Sequence, residues 1–171
     1  MSVEKTALAA TTLLYSGKAK SVYKTADEQC VVVEFRDDTS AFDGEKMAQL
    51  QAKGRINHAI SNHLMRVLAE EGIPTHWLQA VSPTRSLVKA LSMMPVECVV
   101  RNVAMGSLCR RLGVQSGLSL SPPLYELFLK NDELHDPMIN EDHAVSFGWA
   151  KAEHLSVMRD YSLQINTILR R

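Results

Sequence analysis

A chain of 171 residues has the size of one domain or of two small lobes, and buries about 70% of the surface it exposes unfolded, so its core needs no disulfide or metal staple. With 46% hydrophobic and 22% charged residues, disorder is excluded as the main state, and nineteen basic against nineteen acidic side chains leave no global field to steer the chain to nucleic acid. No apolar run reaches bilayer length and residues 1–12 lack the apolar core of a secretion signal, while Cys30, Cys98 and Cys109 lie in apolar stretches that suit buried, reduced thiols in a cytoplasmic protein.

In chain order, residues 13–24 and 29–35 are predicted as two strands of a hairpin, and the second carries the β-branched run Val31, Val32, Val33. Residues 44–71 place Met47, Leu50, Ile56, Ile60, Leu64, Val67 and Leu68 at helical spacing, with Gly54 as a bend and Gly72 and Pro74 as the stop. Three short strands follow at 75–81, 87–91 and 96–103, the first two separated by the turn Ser82-Pro83-Thr84. The link 92–94 runs into Pro95, which favours an extended residue before it and reads as a hinge between lobes of 1–92 and 93–171. Beyond it the spacing predicts a helix over 107–112 ended by Gly113, a strand over 124–130 and a polar loop over 131–143. Residues 151–171 form an amphipathic helix with Leu155, Met158, Ile165, Ile168 and Leu169 on one face. That face calls for a partner, either a second copy in a homodimer or a further segment.

Four segments carry candidate chemistry. In a strand, Lys18 and Lys20 of Ser16-Gly17-Lys18-Ala19-Lys20 point to one face roughly 7 Å apart, a spacing suited to polyphosphate oxygens, and Gly17 and Ala19 leave the backbone open to a ligand. Two solvated lysines on an edge strand is the other reading. In Asp37-Asp38-Thr39-Ser40-Ala41-Phe42-Asp43-Gly44, Ser40 and Asp43 either contact a substrate or cap the helix that follows. Arg101 at the end of a buried strand and Ser107 at a helix start make a natural phosphate site, or else an ion pair and a plain N-cap. Lys130-Asn131-Asp132-Glu133-Leu134-His135-Asp136-Pro137 mixes a cation, carboxylates and a histidine. Even with Glu141, Asp142 and His143, its spacing matches no zinc or calcium pattern, and no metal site is assigned to it.

Taken in order, Tyr15-Ser16-Gly17-Lys18-Ala19-Lys20, Asp38-Thr39-Ser40-Ala41, Gly72-Ile73-Pro74-Thr75, Val96-Glu97-Cys98-Val99-Val100-Arg101-Asn102, Gly106-Ser107-Leu108, Lys130-Asn131-Asp132, Asp136-Pro137-Met138 and Asn140-Glu141 resemble the SAICAR synthetase family of purine biosynthesis. The resemblance implies an α+β, two-lobed fold with an antiparallel N-terminal sheet, an ATP-binding lobe at 1–92 and the first part of a substrate lobe at 93–171. It implies a ligase that joins L-aspartate to carboxyaminoimidazole ribonucleotide through an acyl phosphate, with ATP and Mg²⁺ as cofactors and neither nucleic acid nor membrane as partner. Family likeness assigns Gly17, Lys18, Ala19, Lys20, Val22, Lys89 and Met93 to ATP, Arg101 and Ser107 with Ser40 and Asp43 to the substrate, and Lys130 and Asp136 to catalysis.

Two departures from the family pattern stand out. The family's Asp-x-Lys-x-Glu-Phe-Gly strand, expected to supply metal-binding carboxylates, is not in the sequence, so the second lobe reads as incomplete. Met105 replaces a small residue before Gly106-Ser107, where it either crowds the phosphate loop or points away. A truncated, non-catalytic nucleotide-binding or interaction protein of the same fold is the alternative reading. A nucleic-acid module built on Lys18, Lys20, Arg110 and Arg111 lacks interleaved aromatics and net positive charge.

Overall fold

The structure, a computed structural model, describes residues 11–41, 46–49 and 51–171. Two compact units divide the chain, Met1–Ser92 and Met93–Arg171. The fold class is α+β, with antiparallel sheets and helices in separate stretches of chain. Among the described residues no helix is long and apolar enough to cross a membrane.

In the first unit, residues 13–24 are two strands rather than the one predicted. β1 (Leu13–Ser16) and β2 (Lys20–Lys24) pair antiparallel and reverse through Gly17–Ala19. A Cβ at Gly17 would meet the exposed Tyr15 ring at 3.1 Å and would require that ring to shift slightly. β3 (Cys30–Phe35) continues the sheet in a register running from Lys20 opposite Phe35 to Lys24 opposite Val31.

The stretch predicted to begin a helix at 44 instead contains a second hairpin, β4 (Asp38–Ala41) with β5 (Lys46–Gln49). Met47 is therefore a strand residue, and Ser40 lies in β4 rather than at a helix cap. Asp43, Gly44 and Leu50 fall outside the described residues. Helix α1 runs Lys53–Glu70 and buries Gly54, His58 and Leu68, whereas Ile56 and Ile60 are exposed. The predicted apolar stripe thus holds only in its second half, where Leu68 is buried and Leu64 and Val67 are half-buried.

Gly54 does not bend the helix. It sits in the first turn, where an added Cβ would lie 2.5 Å from the Phe35 carbonyl oxygen, so helix and strand approach closer there than any side chain allows. The N-cap residue Ala52 has no side-chain acceptor and a φ of 65°. Asp37 acts in its place, its carboxylate accepting the Gly54 N–H at 2.8 Å.

β6 (Trp77–Ser82) and β7 (Arg85–Lys89) close a five-stranded antiparallel sheet of order β1-β2-β3-β7-β6. A buried polar network joins α1 to it. His58 Nε2 lies 2.9 Å from Ser86 Oγ, Ser86 Oγ donates to Asn62 Oδ1 at 2.7 Å, and Trp77 Nε1 donates to the same oxygen at 2.6 Å. These polar side chains answer one another, so their burial under the helix does not leave unmet donors.

The second unit begins with β8 (Val96–Val103), followed by α2 (Ser107–Leu112), which Gly113 ends in the left-handed conformation with a φ of 66°. β9 (Ser119–Leu129) starts five residues before the predicted strand because Pro122 and Pro123 read as loop. The predicted polar loop contains a 3-10 turn (Asp132–Leu134), β10 (Met138–Ile139) and the start of α3 (Glu141–Ser146). β10, β9 and β8 form one antiparallel sheet in that order.

Strand alternation splits the residues of that sheet between two faces. Val96, Leu127 and Leu129 join Ile139, Ala144, Ala150 and Leu155 in the core, with Met158 of helix α4 (Ala152–Leu169) packed against it. Glu97, Val99 and Arg101, opposite Phe128, Glu126 and Leu124, take the other face. On α4, Ile165 and Ile168 are half-buried and Leu169 is 49% exposed. All three cysteines are free thiols of intermediate burial rather than fully buried.

Gly54→Ala is expected to destabilise the chain by about 2 kcal/mol, since a methyl group must displace a strand carbonyl. Denaturant titration of the two proteins checks this, and equal midpoints would contradict the close approach.

Candidate active site

The three-stranded sheet presents two arginines held by one carboxylate, and the five-stranded sheet presents lysines at the β1–β2 turn and at the end of β7. In the second unit the centre is Glu126, 3% exposed on a strand where its neighbours are apolar. Arg101 Nε donates to Glu126 Oε2 at 2.5 Å and Arg111 Nη2 to Oε1 at 2.5 Å. Each oxygen of the carboxylate thus takes one guanidinium. Arg101 Nη2 also lies 3.3 Å from Ser107 Oγ, so the strand's arginine and the first residue of α2 are neighbours. Arg101 is in an ion pair, and the N-cap of α2 is Gly106 rather than Ser107. Burial drives the Glu126 pKa up, but the hydrogen bonds and charges of Arg111 and Arg101 together outweigh it and hold the carboxyl below its usual range.

Such a cluster has one carboxylate for two guanidiniums, a net positive charge. The side chains of Arg101 and Arg111 remain 21% and 30% exposed, whereas that of Glu126 is 2% exposed, so the two arginines reach the surface that the carboxylate does not. Arg111 is thereby committed to a folded site, which sets it apart from a freely solvated basic patch. Met105, the departure beside this loop, is 57% exposed.

In the first unit, Gly17, Lys18 and Ala19 form the β1–β2 turn and Lys20 opens β2. The two lysines are therefore not paired on one strand face, because Lys18 belongs to the turn. The Gly17 N–H donates to the Lys20 carbonyl at 2.8 Å, and Lys20 Nζ lies 4.7 Å from the centre of the Phe35 ring. Val22 is half-buried in β2, directly opposite Val33. Lys89 ends β7 opposite Cys30, and its amide donates to the His76 carbonyl at 2.8 Å. His76 is held below the usual imidazole pKa, first by burial and then by the charges of Lys20 and Lys89. Both lysines therefore contribute to one electropositive neighbourhood.

The family model for SAICAR synthetase matches residues 13–171. The chain belongs to the SAICAR synthetase family. Phosphoribosylaminoimidazole-succinocarboxamide synthases of Coxiella burnetii and Hahella chejuensis are each 60% identical to it over 157 residues, 92% of this chain and 65% and 66% of theirs. The chain thus spans about two thirds of the length of the curated relatives it matches. Among solved structures, the synthase of Ehrlichia chaffeensis superposes with a TM-score of 0.88 at 38% identity, covering 92% of this chain and 66% of that one. A SAICAR synthetase in complex with ADP gives 0.86 at 42% identity, over 91% and 66%.

The remaining predicted residues are more scattered. Met93 is 80% exposed. Lys130 Nζ pairs with Glu97 Oε2 at 3.3 Å on the surface, where both are about half exposed. Asp136 accepts the Asn131 N–H at 2.8 Å through Oδ1, which braces the turn that follows Lys130. This turn brings Lys130 and Asp136 onto one loop, with His135 and Asp136 both at positive φ (57° and 46°). Among the described residues no three His, Cys, Asp or Glu side chains are gathered for a metal ion.

Glu126 is a site residue that the sequence reading did not single out, and Arg111 entered that reading only through the nucleic-acid alternative. For Glu126 the signal was available as one carboxylate inside Leu124-Tyr125-Glu126-Leu127-Phe128-Leu129. A lone acid in an apolar strand demands a buried cation.

Glu126→Gln removes that counter-charge and is expected to destabilise the chain by about 3 kcal/mol at pH 7, a cost typical of breaking a buried ion pair. Because the folded-state pKa lies below the unfolded one, this stabilisation is present above about pH 4.5 and is lost as pH falls through the folded value. Denaturant midpoints between pH 3 and 7 check both points. The variant should show a flatter acid limb, and parallel profiles would contradict the ion triad.

Proposed function

We propose that the chain carries the nucleotide-binding and ribonucleotide-binding residues of a cytoplasmic, ATP-dependent ligase that joins L-aspartate to carboxyaminoimidazole ribonucleotide. The observation that carries this reading is the 60% identity, over 92% of the chain, to proteins named phosphoribosylaminoimidazole-succinocarboxamide synthase. The ADP complex of a 42% identical relative supports a nucleotide as one ligand.

On this reading the substrate carboxylate oxygen attacks the γ-phosphorus of ATP and ADP leaves. The amine nitrogen of aspartate then attacks the acyl carbon, inorganic phosphate departs, and the amine loses a proton as the amide forms. An unactivated carboxylate is a poor electrophile, so the phosphoryl group supplies the leaving group that the amine needs. All the ligands are anions. Lys18, Lys20 and Lys89, with Gly17, Ala19, Val22 and Met93, are assigned to ATP, where the lysines offset charge on the phosphates. Arg101 and Ser107 are assigned to the ribonucleotide phosphate, with Arg111 as an added cation, and Ser40 and Asp43 to the substrate. Lys130 and Asp136 are assigned to the reaction itself. The described residues gather no carboxylate set for Mg²⁺, so no magnesium site is assigned to them.

A separation of roles follows. Lys20→Ala is expected to weaken ADP binding about tenfold and leave the ribonucleotide unaffected, whereas Arg101→Ala should weaken the ribonucleotide about tenfold and leave ADP unaffected. Isothermal titration of each variant with each ligand checks this. Equal losses for both ligands in either variant would contradict the assignment.

A further inference from the structure

Arg36 follows β3 and belongs to none of the motifs that mark the family in the sequence, yet it makes more hydrogen bonds into the Gly17–Lys20 turn than any residue outside it in the described contacts. Its Nη1 lies 2.7 Å from Ser16 Oγ, 2.5 Å from Ser21 Oγ and 3.1 Å from the Lys20 carbonyl oxygen, three acceptors that share its two N–H groups. Its Nη2 donates to the Gly17 carbonyl at 2.6 Å, and its Nε to Asp38 Oδ2 at 2.5 Å. Its own backbone N–H donates to the Ala19 carbonyl at 2.9 Å.

Three consequences follow from that geometry. First, the carbonyls of Gly17, Ala19 and Lys20 all point to donors of one residue, so none of these three oxygens is left to repel an anion. Second, the planar fork reaches both strands of the β1–β2 hairpin, at Ser16 and Ser21, and so fixes the shape of the turn between them. Third, Asp38 anchors the guanidinium from the β4 side and ties the turn to the hairpin that precedes α1. A lysine there could not do the same, because one ammonium cannot face these acceptors in a plane.

We infer that Arg36 is a positioning residue for nucleotide phosphate, whose guanidinium holds the Gly17–Lys20 turn in the shape that presents Lys18 and Lys20 to phosphoryl oxygens. The inference rests on the assignment of phosphate to this turn. It adds that the shape of the turn, and not only the lysine charges, sets the affinity, and that this shape is imposed from residue 36.

The test uses the 171-residue chain with Arg36→Lys, which keeps the charge and loses the fork, beside Lys20→Ala and the unaltered protein. ADP and adenosine are each titrated calorimetrically into all three. Arg36→Lys should weaken ADP about tenfold and change adenosine less than twofold, since only the phosphates meet the turn. A merely structural role would lower both affinities together, and that result, like no change in either, overturns the inference. Ser16→Ala removes one acceptor at an exposed position and provides a milder probe if Arg36→Lys does not fold. It should weaken ADP about threefold with adenosine unchanged, and no change in ADP overturns the inference. Loss of ADP affinity in Lys20→Ala without loss in Arg36→Lys overturns the role of Arg36 alone. Unchanged ADP affinity in Lys20→Ala, or no ADP binding by the unaltered chain, overturns the phosphate assignment and the inference with it.

Discussion

Glu126 is a carboxylate with almost no exposed surface, and a lone charge so placed would cost several kcal/mol. Arg101 and Arg111 make its burial tolerable, and the same contacts immobilise both arginines. Much of the second unit is arranged around this constraint. β8 supplies Arg101 and β9 supplies Glu126 in the same face of one sheet, while α2 carries Arg111 and Ser107 across it. Because two cations share one anion, the cluster keeps a positive excess for a further anion. A surface lysine cluster would have the charge without the fixed geometry, and flexible side chains lose more entropy when a ligand orders them.

The first unit reaches a related end by the opposite arrangement. There the buried logic centres on a cation, Arg36, surrounded by carbonyl, hydroxyl and carboxylate oxygens. The lysines of the turn ride on a backbone whose carbonyls Arg36 holds. Below the same sheet, the His58–Asn62–Ser86–Trp77 network fixes how α1 lies on β6 and β7, and the contact between Gly54 and Phe35 sets its distance from β3. Preorganisation in both units therefore comes from polar groups satisfied inside the chain.

Local signals in the sequence account for what could be read from it. The helix at 107–112 and the strand at 96–103 were legible because Gly113 supplies a left-handed cap and the strand is rich in valine with Pro95 before it. Residues 13–24 were misread as one strand because apolar residues flank a turn whose glycine and lysines also suit a strand. Residues 46–49 were misread as helix because Met47 and Leu50 fall in phase with the true helix, and that phase hides the local hairpin with β4. In the site, Arg101 and Ser107 lie six residues apart and were legible as a strand end meeting a helix start. Glu126 and Arg36 were not, since apart from Asp38 beside Arg36 their side-chain partners lie 15 to 25 residues away and meet them only through strand pairing or the passage of α2 across the sheet.

The account requires two anion sites that work independently within one chain, one in each unit. The most direct measurement is calorimetric titration of the unaltered 171-residue chain with ADP, with carboxyaminoimidazole ribonucleotide, and with each in the presence of the other at saturation. The predicted result is one site for each ligand and simultaneous occupancy. Mutual displacement of the two ligands, or the absence of saturable binding by either, would contradict it.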